Sequence, residues 1–500
     1  MTSNAKHPEN VQEAHRAGID LDYRAPDLPD AVRSQLPQPH LPSRPDWIKL
    51  YWRAWSIAFN KVRSPAPESG LVPFCDAAFS ENIFQWDTCF MERFLRYAPQ
   101  RFHALGSLDN FYRKQHKDGF ICREINSVTG KDFWEKDHPS AVNPPLFADA
   151  EWGYFQVYAN SARLAEVIGY LRLYDDWLRN NRRSADGKGF WTTPLGSGMD
   201  NSPRATALEG EDAHRHFDHT WICITAQQAL AALRISEMAS CLGEEKVARQ
   251  YRSQASEITE HLVRTMWNPK RGCYSDVAPD GTVSDVMTPA MCWPLLLPEI
   301  PDEHRAEVAE HFADERYFLR PHAVPSLSAD HPLYDPAGHY WRGSVWPPMV
   351  DLVARALRRS ERYDLAVTIA ERHLDNLSQV LETTGTLWEN YAPEKAAPGD
   401  ISRPEFVGWT GCGAIGLLVD TILGFQVEAH RGRIVWNLSR DDDHGIAGLP
   451  LAGDAVNLSY LAEEKTIRVE SSQPFNLVMR RNNEELVFED LQGSQRLRLS

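Results

Sequence analysis

Carboxylates set beside indoles and phenols are the residues of this sequence best suited to chemistry. In Gly196-Ser-Gly-Met-Asp-Asn-Ser-Pro-Arg204, Asp200 lies between a glycine-rich turn and a proline. Such a loop can hold a carboxyl rigid and partly buried, which raises its pKa and suits it to be a general acid. An aspartate that merely caps its own turn fits the same loop equally well. In Thr386-Leu-Trp-Glu-Asn-Tyr-Ala-Pro-Glu394, Glu389 follows Trp388 and precedes an amide and a phenol. A semi-buried, hydrogen-bonded Glu is expected there, since a charged Glu is seldom buried without a partner. Glu394, beyond Pro393 and next to Lys395, reads as a solvated ion pair instead. Two carboxyls on separate loops can face each other across a ring of helices, and glycoside hydrolysis needs such a pair.

Three further segments carry the same polar-aromatic signature. Phe84-Gln-Trp-Asp-Thr-Cys-Phe90 puts Asp87 beside Trp86 in the middle of an apolar, helix-like stretch, where a carboxylate must cap or bind something. Tyr340-Trp-Arg-Gly-Ser-Val-Trp346 offers Trp341, Arg342 and Trp346 as cleft residues, with a structural role expected for at least one of the indoles. Asp118-Gly-Phe-Ile-Cys-Arg-Glu124 ends in an Arg123–Glu124 pair that reads first as a salt bridge. Asp212, His214, His216, Asp218 and His219 have the chemistry of a divalent metal site. The favoured alternative is that they open a helix beginning near Asp218, where acidic residues suit the helix dipole. No phosphate-binding glycine loop, Gly-x-Ser-x-Gly elbow or His-Glu-x-x-His occurs, and no cofactor or metal is expected.

Positioning these residues falls to helices. Leu164, Val167, Ile168, Leu171, Tyr174 and Leu178 recur at helical spacing, as do Ile222, Ala226, Ala229, Leu230 and Leu233. Ile369, Ala370, Leu377 and Leu381 repeat the pattern. Roughly twelve such segments start near residues 47, 82, 99, 145, 161, 217, 243, 285, 301, 345, 361 and 409. The loops 117–144, 182–216, 325–344 and 383–408 are long and rich in Trp, Gly, Pro and Asp, and loops of that length are usually functional. The expected fold is mainly α, an (α/α)6 toroid over residues 46–426. An α-solenoid would show a 34- to 45-residue repeat, and none is visible. Residues 1–45, with seven prolines and no period, read as an extended arm. Residues 427–500 alternate with a period of two around Val456, Leu458, Tyr460, Ile467, Val469, Leu497 and Leu499, which predicts a small C-terminal antiparallel β domain.

The 500 residues carry 53 Lys and Arg against 69 Asp and Glu, a net charge of −16. That argues against nucleic-acid and anionic-membrane partners, which need a basic footprint. No apolar run is long enough to span a membrane and no secretory signal opens the chain, so a soluble, cytoplasmic protein is expected. Eight dispersed cysteines without a Cys-x-x-Cys pair fit free thiols in a reducing compartment. Sixteen Trp, sixteen Tyr and twenty Phe suit sugar stacking, although most Trp residues serve a core.

Taken in chain order, Trp86-Asp87, the Gly-Met-Asp-Asn-Ser-Pro-Arg run, Tyr-Trp-Arg-Gly, Trp-Glu-Asn-Tyr and Phe406-Val-Gly-Trp-Thr410 resemble glycoside hydrolase family 63 across most of residues 47–425. The resemblance implies an inverting exo-acting α-glycosidase on an (α/α)6 barrel, with Asp200 as general acid and Glu389 as general base. It implies Phe84, Trp86, Asp87, Tyr340, Trp341, Arg342, Gly343 and Trp409 around the sugar, with Trp346 and Trp388 beside them. The chain lacks the sizeable N-terminal β domain of the large members. It is therefore closer to the compact bacterial subgroup that includes mannosylglycerate and glucosylglycerate hydrolases. An anionic aglycone would need a basic site, for which Arg123, Arg204 and Arg342 are available. The leading expectation is hydrolysis of a terminal α-linked glucose-type residue from a short oligosaccharide or small glycoside; the alternative is a hydrolase specific for glucosylglycerate or mannosylglycerate. A silent sugar-binding protein would need neither carboxylate, and a toroidal isomerase would call on histidines such as 214, 216 and 219. The partner is a small carbohydrate, and the sequence leaves the oligomeric state open.

Overall fold

The computed structural model describes residues 24–77, 81–204, 213–481 and 484–499. It is mainly helical with a C-terminal sheet. Besides a single turn at Asp30–Arg33, the helices are α1 (Pro45–Asn60), α2 (Gln85–Leu95), α3 (Ala104–Arg113), α4 (Phe147–Tyr158), α5 (Ser161–Asn181), α6 (Ile222–Cys241), α7 (Glu245–Thr265), α8 (Asp302–Ala313), α9 (Pro347–Arg359) and α10 (Tyr363–Thr384), followed by a π-helical segment over Cys412–Ile422. Two short 3-10 turns, Pro289–Cys292 and Pro294–Leu296, stand where the periodicity near residue 285 predicts a helix. Pro289 and Pro294 lack the N–H that a longer helix would use.

Two kinds of helix alternate along the chain. α1, α3, α5, α7, α8 and α10 bury one face. In α7 it is Ala248, Tyr251, Ala255, Ile258 and Leu262, the i, i+3, i+4 stripe of an amphipathic helix. The stripe foreseen in α5 from Leu164 to Leu178 is buried as read. In contrast, α2, α6, α9 and the π-helical segment are buried almost all round, and α4 mostly so. Connections leading into the buried elements are long (61–84, 114–146, 182–221, 266–288, 314–346, 385–411), whereas those leading out are short (96–103, 159–160, 242–244, 297–301, 360–362). Every chemistry-bearing motif lies on a long connection or in the first turn that follows it.

The sheet is mixed rather than antiparallel. Its strands are β1 (Gln38–His40), β4 (Phe425–Glu428), β5 (Arg433–Asn437), β6 (His444–Leu451), β7 (Asp454–Leu461), β8 (Thr466–Arg481) and β9 (Glu484–Arg498); β2 (Asn82–Phe84) and β3 (Glu124–Asn126) form a separate hairpin. The order is β1-β6-β7-β8-β5-β4, with β9 along the other edge of β8. β8 runs antiparallel to β7 and β9 but parallel to β5, with Leu477 opposite Ile434. β1 belongs to the stretch read as an extended arm, and its pairing to β6 ties that stretch into the sheet. Residues 1–23 of the arm lie outside the described residues, while Leu28, Val32, Leu36 and Leu41 are buried in the core. No helix among the described residues is long and apolar enough to cross a membrane.

Candidate active site

Hydrogen bonds between the long connections bring the motifs together. The Gln85 N–H donates to the Arg123 carbonyl at 2.8 Å, and Phe84 pairs with Glu124 across the β2–β3 hairpin. Asp87 therefore sits in the first turn of α2 rather than in mid-helix, where the helix dipole favours a carboxylate. The Asp200 loop is held from beneath. Arg123 Nη1 donates to the Leu195 carbonyl (2.6 Å) and Asn143 Nδ2 to the Gly196 carbonyl (3.0 Å). Gly198 has φ +78°, and a Cβ there would lie 2.4 Å from the Trp86 indole, so glycine lets the loop rest on that ring.

Asn201 stitches this loop to the next motif. Its Oδ1 accepts from the Trp341 N–H (2.7 Å), its Nδ2 donates to the His339 carbonyl (3.2 Å), and its own carbonyl accepts from Arg342 Nε (3.1 Å). Gly343, at φ +151°, lies so close to Asp335 that a Cβ would stand 2.3 Å from the Asp335 carbonyl oxygen. Val345 and Tyr391 then exchange backbone hydrogen bonds at 2.8 and 3.0 Å, joining Tyr340–Trp346 to the Glu389 loop. Glu389 is fixed by its backbone. Its N–H donates to the Arg403 carbonyl (2.9 Å), and its carbonyl accepts from Trp409 Nε1 (3.0 Å).

Asp87, Asp200 and Glu389 consequently share one electrostatic environment. Burial pushes the Asp200 carboxyl up to about 6, against the pull of Arg123. Asp87 is pushed up to about 8 by burial, opposed by its own backbone N–H and Arg123. Glu389 is raised well above the carboxylate range by burial and by the charges of Asp87 and Asp200. The Tyr340 hydroxyl, raised by burial, feels all three carboxylates. Among the described residues, no other side chain and no other residue's backbone N–H bonds the carboxylate oxygens of Asp200 or Glu389, so neither serves as a cap for a neighbouring turn. Raised in this way, Asp87 and Glu389 favour holding protons at neutral pH, and Asp200 gives its proton up near pH 6, a spread that acid–base chemistry can use.

The remaining candidates divide. Trp341 and Trp346 stack at 4.0 Å in parallel planes, both fully buried, and Trp346 Nε1 donates to the Tyr340 carbonyl (3.2 Å). This pair is buried as deeply as Glu389, and Trp346 holds the backbone of Tyr340 in place. Trp409 packs edge-on against Trp346 at 5.3 Å. Trp388 is half-buried and held by Nε1 to Thr384 Oγ1 (3.0 Å). Arg204 departs from the expected role at a substrate's anionic group. Its Nε and Nη2 grip Asp276 at 2.8 and 2.7 Å in full burial, and Nη1 donates to Met199 Sδ. Arg123 pairs with Glu124 at 3.1 Å, as its sequence suggests. Arg342 is half-buried and pairs with no carboxylate among the described residues.

The histidine segment is spread out. His214 bonds Ser140 and packs on Trp134, His216 stacks on Trp191 at 3.9 Å, and His219 bonds the Phe217 carbonyl. Asp212 lies outside the described residues. Among those described, no group of three His, Cys, Asp or Glu is placed to hold a metal. The helix opens at Ile222 instead of near Asp218, and the carboxylate receiving its first N–H is Asp276 (2.7 Å). Asp276 escapes sequence reading because Ser275-Asp276-Val277 has no distinguishing pattern; its partners Arg204 and Ile222 are 72 and 54 residues away. Glu394 pairs with Arg320 (2.7 and 3.0 Å) and Tyr334, not with Lys395.

Residues 80–411 match the family model described as mannosylglycerate hydrolase MGH1-like glycoside hydrolase domain. The chain belongs to this family. It is a glycoside hydrolase of the family 63 type, as the motif order implies. An uncharacterized protein of Borreliella burgdorferi is 25% identical over 390 residues, 75% of this chain and 79% of that protein. A probable mannosyl-oligosaccharide glucosidase of Schizosaccharomyces pombe is 24% identical over 232 residues, 43% of this chain and 28% of that protein. The fold is shared with the family 63 mannosylglycerate hydrolase of Thermus thermophilus solved with glucose. The TM-score is 0.60 at 18% identity, covering 74% of this chain and 99% of that one.

Proposed function

We propose that this hydrolase is an inverting exo-acting α-glycosidase that removes a terminal glucose-type residue from a short glycoside. The observation that carries the proposal is the grouping of Asp87, Asp200 and Glu389, each raised by burial and lacking a neutralising carboxylate–guanidinium pair, beside Tyr340. Asp200 protonates the leaving oxygen, Glu389 takes a proton from the attacking water, and Asp87 and Tyr340 hold sugar hydroxyls. The proton affinity of Glu389 is raised more strongly than that of Asp200, first by burial and then by the charges of both other carboxylates, whereas Arg123 opposes the rise at Asp200. Water activation by Glu389 therefore requires Asp87 or Asp200 to carry the proton once sugar is bound. The alternation of six one-face helices with six buried elements, the 3-10 pair at 289–296 filling one place, supports an (α/α)6 barrel with these residues at one mouth.

A second reading, hydrolysis of glucosylglycerate or mannosylglycerate, is favoured by the description of the matching family. With Arg204 committed to Asp276 and Arg123 to Glu124, Arg342 is the cation left to meet a carboxylated aglycone. Replacing it, as Arg342→Gln, should raise KM for glycerate glycosides more than tenfold and leave neutral disaccharides unchanged; equal effects on both would remove the glycerate reading. Proton NMR of reactions with glucosylglycerate, mannosylglycerate, kojibiose, nigerose and trehalose identifies the substrate and the first anomer released. Initial β-sugar from an α-glycoside supports inversion, and initial α-sugar would sink it.

A further inference from the structure

The most unusual charge distribution in the molecule lies away from the carboxylates. A cavity of about 620 Å³ is lined by ten arginines and four carboxylates, in a chain whose net charge is −16. Its walls come in part from the C-terminal halves of the buried helices, with Arg252 of α7 and Arg431, Arg433 and Arg480 at the sheet completing them. Arg93 and Arg96 end α2, Arg355, Arg358 and Arg359 end α9, Arg234 comes from α6, and Asp420 from the π-helical segment. Asp87 and Arg96 stand nine residues apart along α2, about 13 Å at helical rise, so the cavity and the acidic site occupy opposite ends of the same helices.

Most of this charge is neutralised by ion pairs. Asp420 takes Arg93 and Arg96 (3.1 and 2.8 Å), and Asp149 takes Arg234 and Arg355 (3.0 and 2.7 Å). Asp351 and Glu237 also meet Arg93 and Arg234, Glu428 takes Arg431 and Arg433, and Glu485 takes Arg480. Arg358 instead spends its Nη1 on the Asp420 carbonyl and the Thr421 hydroxyl, without a carboxylate. Arg359 and Arg252 stand exposed at the rim, and no ion pair to either is found among the described residues. Guanidinium groups offer paired N–H donors that match phosphate oxygens. The volume is that of a small-molecule site, about 300–1,000 Å³, but the lining is far more cationic than a sugar pocket requires.

We propose that this cavity binds a compact, multiply charged phosphate anion, as a second site separate from the glycosidase centre. The proposal does not depend on which glycoside is cleaved. The test is calorimetric titration of the full chain with inorganic pyrophosphate at low ionic strength, alongside Arg252→Glu/Arg359→Glu, whose two positions are exposed and outside the carboxylate site. Arg264→Glu, an exposed arginine elsewhere, controls for general surface charge. The expected result is saturable binding, weakened at least tenfold in the double variant and less than twofold in the control, with unchanged glycoside hydrolysis. No saturable binding by the unaltered protein, or equal weakening in the control, would overturn the proposal.

Discussion

The two ends of the buried helices hold the same residue types in opposite states. At the N-terminal end, Asp87, Asp200 and Glu389 are left without guanidinium partners, and burial drives their pKa values up. Asp420 at the C-terminal end, and Asp149 in the first turn of α4, are as deeply placed, yet Arg355, Arg234, Arg93 and Arg96 hold them below the carboxylate range despite burial. Between these particular carboxylates pairing, not depth, separates the raised from the lowered, although Glu151 stays raised by burial even with Arg163 gripping both its oxygens. Burial alone does not mark a site. Glu92 also rises to about 8, but both its oxygens are sealed in the core without a partner and none of the three site carboxylates counts it among its main influences.

The largest break in this comparison comes from the unpaired end. Asp200→Asn and Glu389→Gln should each lower kcat by about 10²–10⁴-fold, with circular dichroism unchanged. Leaving-group dependence separates their roles. A glycosyl fluoride, which needs no protonation to depart, should restore much of the rate to Asp200→Asn and little to Glu389→Gln. The reverse pattern would exchange acid and base, as the higher proton affinity of Glu389 invites.

At the paired end the same chemical change should act on stability. Asp420→Asn removes the negative charge that Arg93, Arg96 and Tyr97 share and turns one accepting oxygen into a donor. Arg93 keeps Asp351, but Arg96 is left as an unpaired buried cation, which costs about 3–5 kcal/mol. Urea unfolding at pH 7.5 measures it, and a loss under about 1 kcal/mol would reduce the network to a surface-like one. Because pairing lowers the Asp420 pKa, its contribution is present above the unfolded value and fades as pH falls, so the gap between variant and parent should narrow towards acid.

Asp200→Asn should shift stability the other way. The folded carboxyl binds its proton up to about pH 6, whereas the ordinary value is 3.8, so parent stability declines as pH rises between those values. Removing the charge should stabilise the protein by about 1–3 kcal/mol above pH 6 and by nothing near pH 4. A destabilised variant at pH 7.5 would mean that Asp200 is paired in solution.

The difference between the two ends was only half visible in the sequence. The acidic end could be read because its carboxylates sit in compact motifs flanked by Trp, Gly and Pro, and the helical stripes of α5 and α6 could be read from their period. The basic end could not. Arg355, Arg358 and Arg359 resemble the solvated face of a last helical turn, and they meet Arg93, Arg96 and Arg234 only when helices distant in sequence converge. Asp276 and the parallel β5–β8 pairing were hidden for the same reason, since long-range pairing leaves no local period. Arg204 was misjudged because its motif announced a charge near the site but not Asp276, the partner that takes it.

Glu394 supplies the smallest effect and checks the rule that pairing, not sequence proximity to a motif, decides a carboxylate's role. It lies five residues from Glu389, but the connection turns at Pro393 and carries its side chain to Arg320 and Tyr334. Burial would raise its pKa, yet those two partners hold it below the ordinary value. The pair is about one-quarter exposed, where an ion pair is worth about 0–1 kcal/mol. Glu394→Gln should therefore cost at most about 1 kcal/mol in urea unfolding and leave kcat within twofold. A loss of activity approaching that of Glu389→Gln would place Glu394 in the catalytic pair and break the distinction between the two carboxylates.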